Sequence, residues 1–237
     1  MENKTVLITG ANGGLGRAFV ESILEQNPRK LYCAARDIKS LDEIRKLSPV
    51  IEPIALDITD KDSITHTVAA IDSLDLLINN AGVNTNSRLF DSSFLDIEVN
   101  LKGTVNLTEA FFEHLKASQG KVVTITSILA LVNLPLMANY AVSKSALHSF
   151  TQALRAEFTL FGGEVYEVLP GPIETRMTEG FPMPKAKPEE IVKEVMGAMK
   201  NKTFEIYPDG FSQMIKQRLQ SEPEKLIEEF ADAIAEQ

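Results

Sequence analysis

Short apolar runs alternate along the chain with longer segments whose apolar residues recur at helical spacing. The runs, at residues 5–9, 31–35, 51–56, 74–79, 121–126, 164–169 and 203–206, are mostly rich in Val, Ile and Leu, as suits strands covered on both faces. The segments between them predict helices over 15–25, 62–71, 95–115, 139–161 and 189–199, with weaker helical stretches near Leu41 and after Phe211. Strands alternating with helices of this length make βαβ units. The expected fold class is therefore α/β. It is a Rossmann-type doubly wound parallel sheet of about seven strands with helices on both faces, built as a single domain over residues 1–237.

Gly162 and Gly163 directly follow the fifth predicted helix, where a left-handed residue would end it. Residues 171–188 contain Pro172, Pro182, Pro184 and Pro188 and read as a long loop between a strand and a helix. Loops of this length in compact domains are frequently lids over active sites. Residues 211–237 form a helical tail beyond it. In its acidic part Leu226, Phe230 and Ile234 recur every fourth residue, a stripe that would pack on the body or on a partner.

Charge narrows the function. A net charge of −9 without a basic stripe argues against nucleic acid, whose binding depends on clustered Lys and Arg. No apolar stretch approaches the ~18 residues of a membrane helix, and the N-terminus runs straight into an apolar strand with no leader pattern. The lone cysteine, Cys33, lies in an apolar run and reads as a small buried hydrophobe, which suits a reducing compartment. A cytoplasmic protein with no membrane partner is expected. His66, His114 and His148 fall on different predicted helices without metal-ligand spacing, so no metal site is expected.

The first motif with chemical content is T-G-A-N-G-G-L-G at residues 9–16, at the junction of the first strand and first helix. Glycines let the backbone turn tightly and approach a pyrophosphate, while free N–H groups and the helix dipole favour its charge. After the fourth strand comes N-N-A-G, residues 79–82, where Asn79 and Asn80 can satisfy backbone groups beside the first turn while Ala81 and Gly82 leave room for a ribose. A plain strand-ending turn would look similar. In Y-A-V-S-K, Tyr140 and Lys144 stand four apart on a predicted helix and share a face. A nearby ammonium stabilises a phenolate and draws the phenol toward neutrality, making it able to exchange a proton with an alcohol or carbonyl. Ser127 closes the fifth strand at the carboxyl edge of the sheet, where it can hydrogen-bond a substrate oxygen. Asn100 lies inside the fourth predicted helix, an unfavourable place that calls for an offsetting contact.

In this order, these motifs resemble those of the classical short-chain dehydrogenase/reductase family. The glycine pattern alone fits the classical spacing through Gly10, Gly14 and Gly16 and an extended-family spacing through Gly10, Gly13 and Gly16; N-N-A-G points to the former. The resemblance covers roughly residues 4–206 and implies catalytic roles for Asn100, Ser127, Tyr140 and Lys144, with Asn100 holding a water that connects the lysine to solvent. It implies cofactor contacts from Gly10, Asn12, Gly14, Leu15 and Gly16, from Asp57 (to the adenine) and Ile58, from Asn80, Ala81 and Gly82, and from Tyr140 and Lys144. It also implies that Pro170, Gly171, Ile173 and Thr175 meet the nicotinamide or the phosphates. A homodimer or homotetramer is implied too, although Tyr207-Pro208-Asp209-Gly210 departs from the Gly-rich segment many members carry after the seventh strand.

NAD sites generally place a carboxylate at the end of the second strand, whereas NADP sites place an Arg that pairs with the 2′-phosphate. Ala35 falls at the acid position and Arg36 beside it, which predicts NADP; a one-residue shift would bring Asp37 to the ribose and favour NAD. The expected reaction is hydride transfer between the nicotinamide and a carbonyl or secondary alcohol. The apolar stretch 129–137, with Met177, Phe181 and Met183, predicts an apolar substrate. The rivals are an extended-type epimerase or dehydratase and a nucleotide-sensing protein without chemistry.

Overall fold

The computed structural model describes residues 1–91 and 94–234, so positions 235–237 of the expected tail lie outside it. Among the described residues seven strands form one sheet: β1 (Thr5–Thr9), β2 (Lys30–Ala35), β3 (Ile51–Ala55), β4 (Leu76–Asn79), β5 (Lys121–Ile125), β6 (Glu164–Val168) and β7 (Glu205–Ile206). They pair in the order β3-β2-β1-β4-β5-β6-β7, every neighbour parallel. Around them lie α1 (Gly14–Leu24), α2 (Asp42–Arg45), α3 (Lys61–Ala69), α4 (Thr104–Ala110), α5 (Phe112–Ser118), α6 (Ala138–Thr159), α7 (Pro188–Asn201), α8 (Gly210–Ser221) and α9 (Pro223–Asp232). The strand order reverses between β1 and β4, which opens a crevice at the carboxyl ends of those strands.

Successive strand residues point to opposite faces, and this splits the core in two. Val6 and Ile8 of β1 join Phe19 and Ile23 of α1 and Ile191 and Val195 of α7 in one layer. Leu7, between them, joins Leu107 of α4, Leu115 of α5 and Phe158 of α6 in the other. Both faces are thereby covered, which is why the strands read as continuous apolar runs rather than alternating ones.

The predicted helix over 95–115 is the main departure. A π-helical turn at Ile97–Gly103 precedes α4, the helix breaks at Phe111, and α5 ends on Gln119 in left-handed conformation (φ 50°). The π turn coincides with Asn100, whose side chain bonds to a different segment, and turns of this kind often sit at functional sites. The seventh strand is shorter than the predicted 203–206, pairing only at Glu205–Ile206. The chain does reverse where the glycine pair predicts, since Gly162 takes φ +80° after α6.

Residues 171–188 fold back on themselves: the Glu174 N–H donates to Ala186 and the Ala186 N–H to Pro172, both at 2.9 Å. The tail forms α8 and α9, whose Ile215 and Leu226 bury against Ile128 and Val132 just beyond β5. Phe230 joins that cluster, whereas Ile234 remains 37% exposed, so the expected stripe packs over only part of its length. No helix among the described residues is long and apolar enough to cross a membrane.

Candidate active site

The Gly-rich turn is built around a close approach of β1 and α1. Gly10 takes φ +62°, and the Ala11 N–H donates to Ala34 of β2 at 3.0 Å. A Cβ on Gly16 would fall 2.2 Å from the Gly10 carbonyl oxygen, so this position admits only glycine. α1 starts without a side-chain cap and without an acidic residue in its first turn. Its first N–H groups and its dipole therefore face the cleft, as an anion requires. A Cβ on Gly14 would meet the Thr175 methyl at 3.0 Å, placing the Gly-rich turn directly opposite Thr175.

Thr9 organises the next wall. Its hydroxyl accepts from the backbone N–H groups of both Asn80 and Ala81 at 3.0 Å, and Asn80 Nδ2 donates to the carbonyls of Thr9 (2.9 Å) and Gly10 (3.1 Å). Asn80 thus supports the turn as the sequence suggests. Asn79 does not: its amide points to the α4 side and donates to Thr108 Oγ1 at 2.9 Å. Ala81 and Gly82 line the cleft.

Asn100 is fully buried and its side chain is engaged on three sides. Oδ1 accepts from the Val83 N–H at 2.8 Å; Nδ2 donates to the Val83 carbonyl at 2.8 Å and to Ser143 Oγ at 3.0 Å. This reciprocal pair is the contact that offsets an asparagine inside a helix. It fastens the strand exit after Gly82 to α6, and it leaves the Asn100 amide committed to Val83 and Ser143.

Ser127 sits at the end of β5, with Oγ accepting from the Leu129 N–H at 3.1 Å and hydrogen-bonded to the Tyr140 hydroxyl. Lys144, buried on the same face of α6 as Tyr140, donates through Nζ to the Ile125 carbonyl at 2.8 Å and stands 5.6 Å from the centre of the tyrosine ring. The expectation that Lys144 draws the phenol toward neutrality needs correcting. Burial pushes Tyr140 up to about 12, with the Ser127 hydrogen bond opposing and Asp96 reinforcing it. Burial also pulls Lys144 down to about 8, against the attraction of Asp96 and Glu167. The chain's own groups therefore leave the pair desolvated, with the ammonium donating to a carbonyl rather than to the phenol.

These groups share a cleft of about 500 Å³, within the range of small-molecule sites, with Gly10, Asn12, Gly14, Leu15 and Gly16 at one end. Arg36, Asp57 and Ile58 line it just beyond the ends of β2 and β3, and Pro170, Gly171, Ile173 and Thr175 line it beyond the end of β6. Asp37 caps the turn that follows, its carboxylate accepting from the Lys39 N–H at 3.0 Å, while Asn12 Nδ2 bridges to Ser40 Oγ at 3.0 Å. Asp57 behaves as a turn cap, with Oδ1 accepting from the N–H (2.9 Å) and hydroxyl (2.7 Å) of Thr59. Those bonds, with a smaller contribution from Arg36, hold its carboxyl below the usual range. Gly171 donates its N–H to Asp209 Oδ2 at 2.8 Å, a support found only in the structure. Of the apolar residues, Met177 lines the cleft, whereas Leu131 and Val132 pack against the tail helices.

This arrangement fits a dinucleotide: an uncapped helix N-terminus, a turn that excludes Cβ atoms, and a buried Ser and Lys beside a half-buried Tyr at the far end. The comparisons agree with it. The family model for short chain dehydrogenase matches residues 4–185. A short chain dehydrogenase from Burkholderia cenocepacia, solved in complex with NADP, superposes with a TM-score of 0.91 at 33% identity, over 97% of this chain and 98% of that one. The 3-oxoacyl-[acyl-carrier-protein] reductase FabG of Thermotoga maritima is 32% identical over 77% of this chain and 79% of its own. An NADPH-dependent 1-acyldihydroxyacetone phosphate reductase of Schizosaccharomyces pombe is 29% identical over 97% of this chain and 76% of its own. With motifs, cleft and relatives in agreement, the chain belongs to the short-chain dehydrogenase family of NAD(P)-dependent oxidoreductases.

Proposed function

We propose that the protein is an NADPH-preferring reductase of an apolar carbonyl compound, or the corresponding secondary-alcohol dehydrogenase. The observation that carries this reading is the convergence of Ser127, Tyr140 and Lys144 in one cleft with the uncapped start of α1. The nicotinamide cofactor supplies the hydride. Ser127 Oγ fixes the substrate oxygen and Tyr140 donates the proton to it. A phenol raised by burial is a firmly protonated donor, and Lys144 beside it stabilises the phenolate left behind and holds the ribose. Asn100 keeps α6 and the β4 exit in register. The Gly-rich turn, with Asn12 and Leu15, holds the pyrophosphate; Asp57, Ile58 and residues 80–82 bound the adenosine and ribose; residues 170–175 receive the nicotinamide. The 171–188 segment acts as the lid of a single-domain enzyme. The reductases among the relatives favour this reading over an epimerase or a sensor.

Arg36 favours NADP over NAD. It follows β2 at the cleft wall, while Asp37, the residue that would favour NAD, is committed to capping the next turn. The test is a screen of ketones, aldehydes, quinones and secondary alcohols with each cofactor, followed by Arg36→Ala. Losing a charge-assisted phosphate contact should cost NADPH about 1.5–3 kcal/mol in kcat/KM and spare NADH. Equal losses for both cofactors would remove Arg36 from 2′-phosphate recognition, and much faster reduction of polyols or sugars than of apolar ketones would overturn the substrate class.

A homodimer accompanies this reading. A shallow groove between α4, α5 and α6 is lined by Val105, Phe112, Phe150 and Leu154, the helices that members of the family commonly pair. A cytoplasmic setting fits Cys33, which is buried and free. Light scattering at micromolar concentration tests the dimer; a monomer there refutes it.

A further inference from the structure

Glu167 is a fully buried acidic residue in the middle of β6, between Tyr166 and Val168. An acid in that position is costly unless it is hydrogen-bonded and electrostatically matched. Thr126 Oγ1 donates to it at 2.9 Å, and the His148 ring donates through Nδ1, which lies 2.9 Å from both carboxylate oxygens. His148 follows Lys144 by one helical turn and Tyr140 by two, so the three lie along one stripe of α6. Gln152, a turn further on, meets His148 Nε2 at 3.0 Å. Thr126 immediately precedes Ser127. The carboxylate is therefore bonded to side chains on both segments that carry the reacting groups, the end of β5 and α6, yet no step of the reaction uses it.

We propose that Glu167, gripped by His148 and Thr126, is a positioning residue that supplies the counter-charge behind Lys144 and locks α6 against the end of β5. The inference rests on the catalytic roles given above to Ser127, Tyr140 and Lys144. Burial opposes the charge on Lys144, and Asp96 and Glu167 oppose burial; burial also pushes Glu167 itself up, and the bonds from His148 and Thr126 are what favour its charged form. Asp96 is fully buried in the segment before Asn100, where it accepts from the Thr85 N–H at 3.1 Å and from the Thr85 hydroxyl. Glu205 and Tyr207 face Glu167 from the β7 side, Glu205 in turn lying 3.7 Å from Arg155. Of these groups, only Glu167 is bonded both to the helix bearing Lys144 and to the strand bearing Ser127.

The test is Glu167→Gln in the full chain, with the Lys144 ammonium followed by 13C NMR of lysine-labelled protein and its signal assigned by loss in Lys144→Met. Removing the negative charge should lower the Lys144 titration midpoint by about half a unit to one unit. The basic limb of kcat/KM should move toward acid by the same amount, giving about threefold to tenfold lower activity above it. His148→Ala is the second variant, in case Glu167→Gln does not fold. It deprives the carboxylate of its main donor, favours its protonation and should shift Lys144 in the same direction. A role confined to stability would lower the melting temperature and leave the Lys144 midpoint where it is; that result in either folded variant overturns the proposal. The NMR readout needs no substrate, so a wild-type protein that reduces nothing would sink the proposed function without touching this test.

Discussion

The two ends of the sheet use the same residue types to opposite effect. At the amino end, Glu164 at the start of β6 meets Lys121 at 2.6 Å, Lys202 at 2.9 Å and the Tyr166 hydroxyl at 2.5 Å. Burial disfavours that carboxylate, but the bonds from Lys121, Tyr166 and Lys202 prevail and hold it down at about 2. At the carboxyl end, Tyr140, Lys144 and the buried acids Asp96 and Glu167 are also close, yet Lys144 falls to about 8 and Tyr140 rises to about 12. One cluster is driven further into its charged state, the other toward neutrality. What separates them is direct contact: Glu164 touches its lysines, whereas Lys144 bonds to a backbone carbonyl and Glu167 to a histidine. Ion pairs closed on one another stabilise a fold, while charges kept apart beside a cleft remain available for proton transfer.

The sharpest way to break this comparison is Tyr140→Phe. It should lower kcat by about 10²–10⁴ while leaving the melting temperature and cofactor affinity nearly unchanged, because ring volume is kept and only the proton donor is lost. Steady-state kinetics alongside calorimetry and cofactor titration check it; activity close to wild type would end the idea that the carboxyl end is reserved for chemistry. Next comes Glu164→Gln, expected to cost about 1.5–3 kcal/mol of stability at neutral pH with little change in activity. The sign follows from a folded value of about 2, below the ordinary 4.5. The stabilisation is complete above 4.5 and disappears as pH falls toward about 2, so wild-type and variant denaturation curves should converge in acid. The smallest effect belongs to Lys202→Ala. Lys202 is 69% exposed, so its bond to Glu164 should respond to added salt, and its removal should matter far less than loss of Glu164 itself.

Much of this was legible in the sequence. All seven strands lie within two residues of their predicted bounds, because buried parallel strands are unbroken apolar runs and their turns carry Gly, Asn and Pro. Gly10, Gly14, Gly16, Ser127, Tyr140 and Lys144 were readable for a related reason: their residue types are forced by a close backbone approach or by proton chemistry. The π turn at Ile97–Gly103 was not, since it coincides with Asn100 reaching Val83, a contact that helical periodicity cannot encode, and helical periodicity does not mark the break at Phe111 either. His148 reads from sequence as one of three scattered histidines. The available signal was Glu167, an acid placed inside an apolar strand run and so in need of a buried partner. In the sequence Asp209 stands out only as part of a departure from the family pattern; its bond to Gly171 exists only in the fold.

That bond has a consequence for the order in which the protein can be finished during synthesis. Every residue that lines the cleft lies between Thr9 and Thr178, but the loop bearing Gly171 is tied down by Asp209, beyond β7 and at the cap of α8. A nascent chain that has already emerged through Lys144 contains Ser127, Tyr140 and Lys144 before the loop bearing Gly171 can bond to Asp209. The cleft closes only when the last strand slides in beside β6 and α8 begins to wind. Assembly of the sheet thus ends with the contact that fastens the cleft's rim, so a half-made chain carries Ser127, Tyr140 and Lys144 beside a rim not yet tied down.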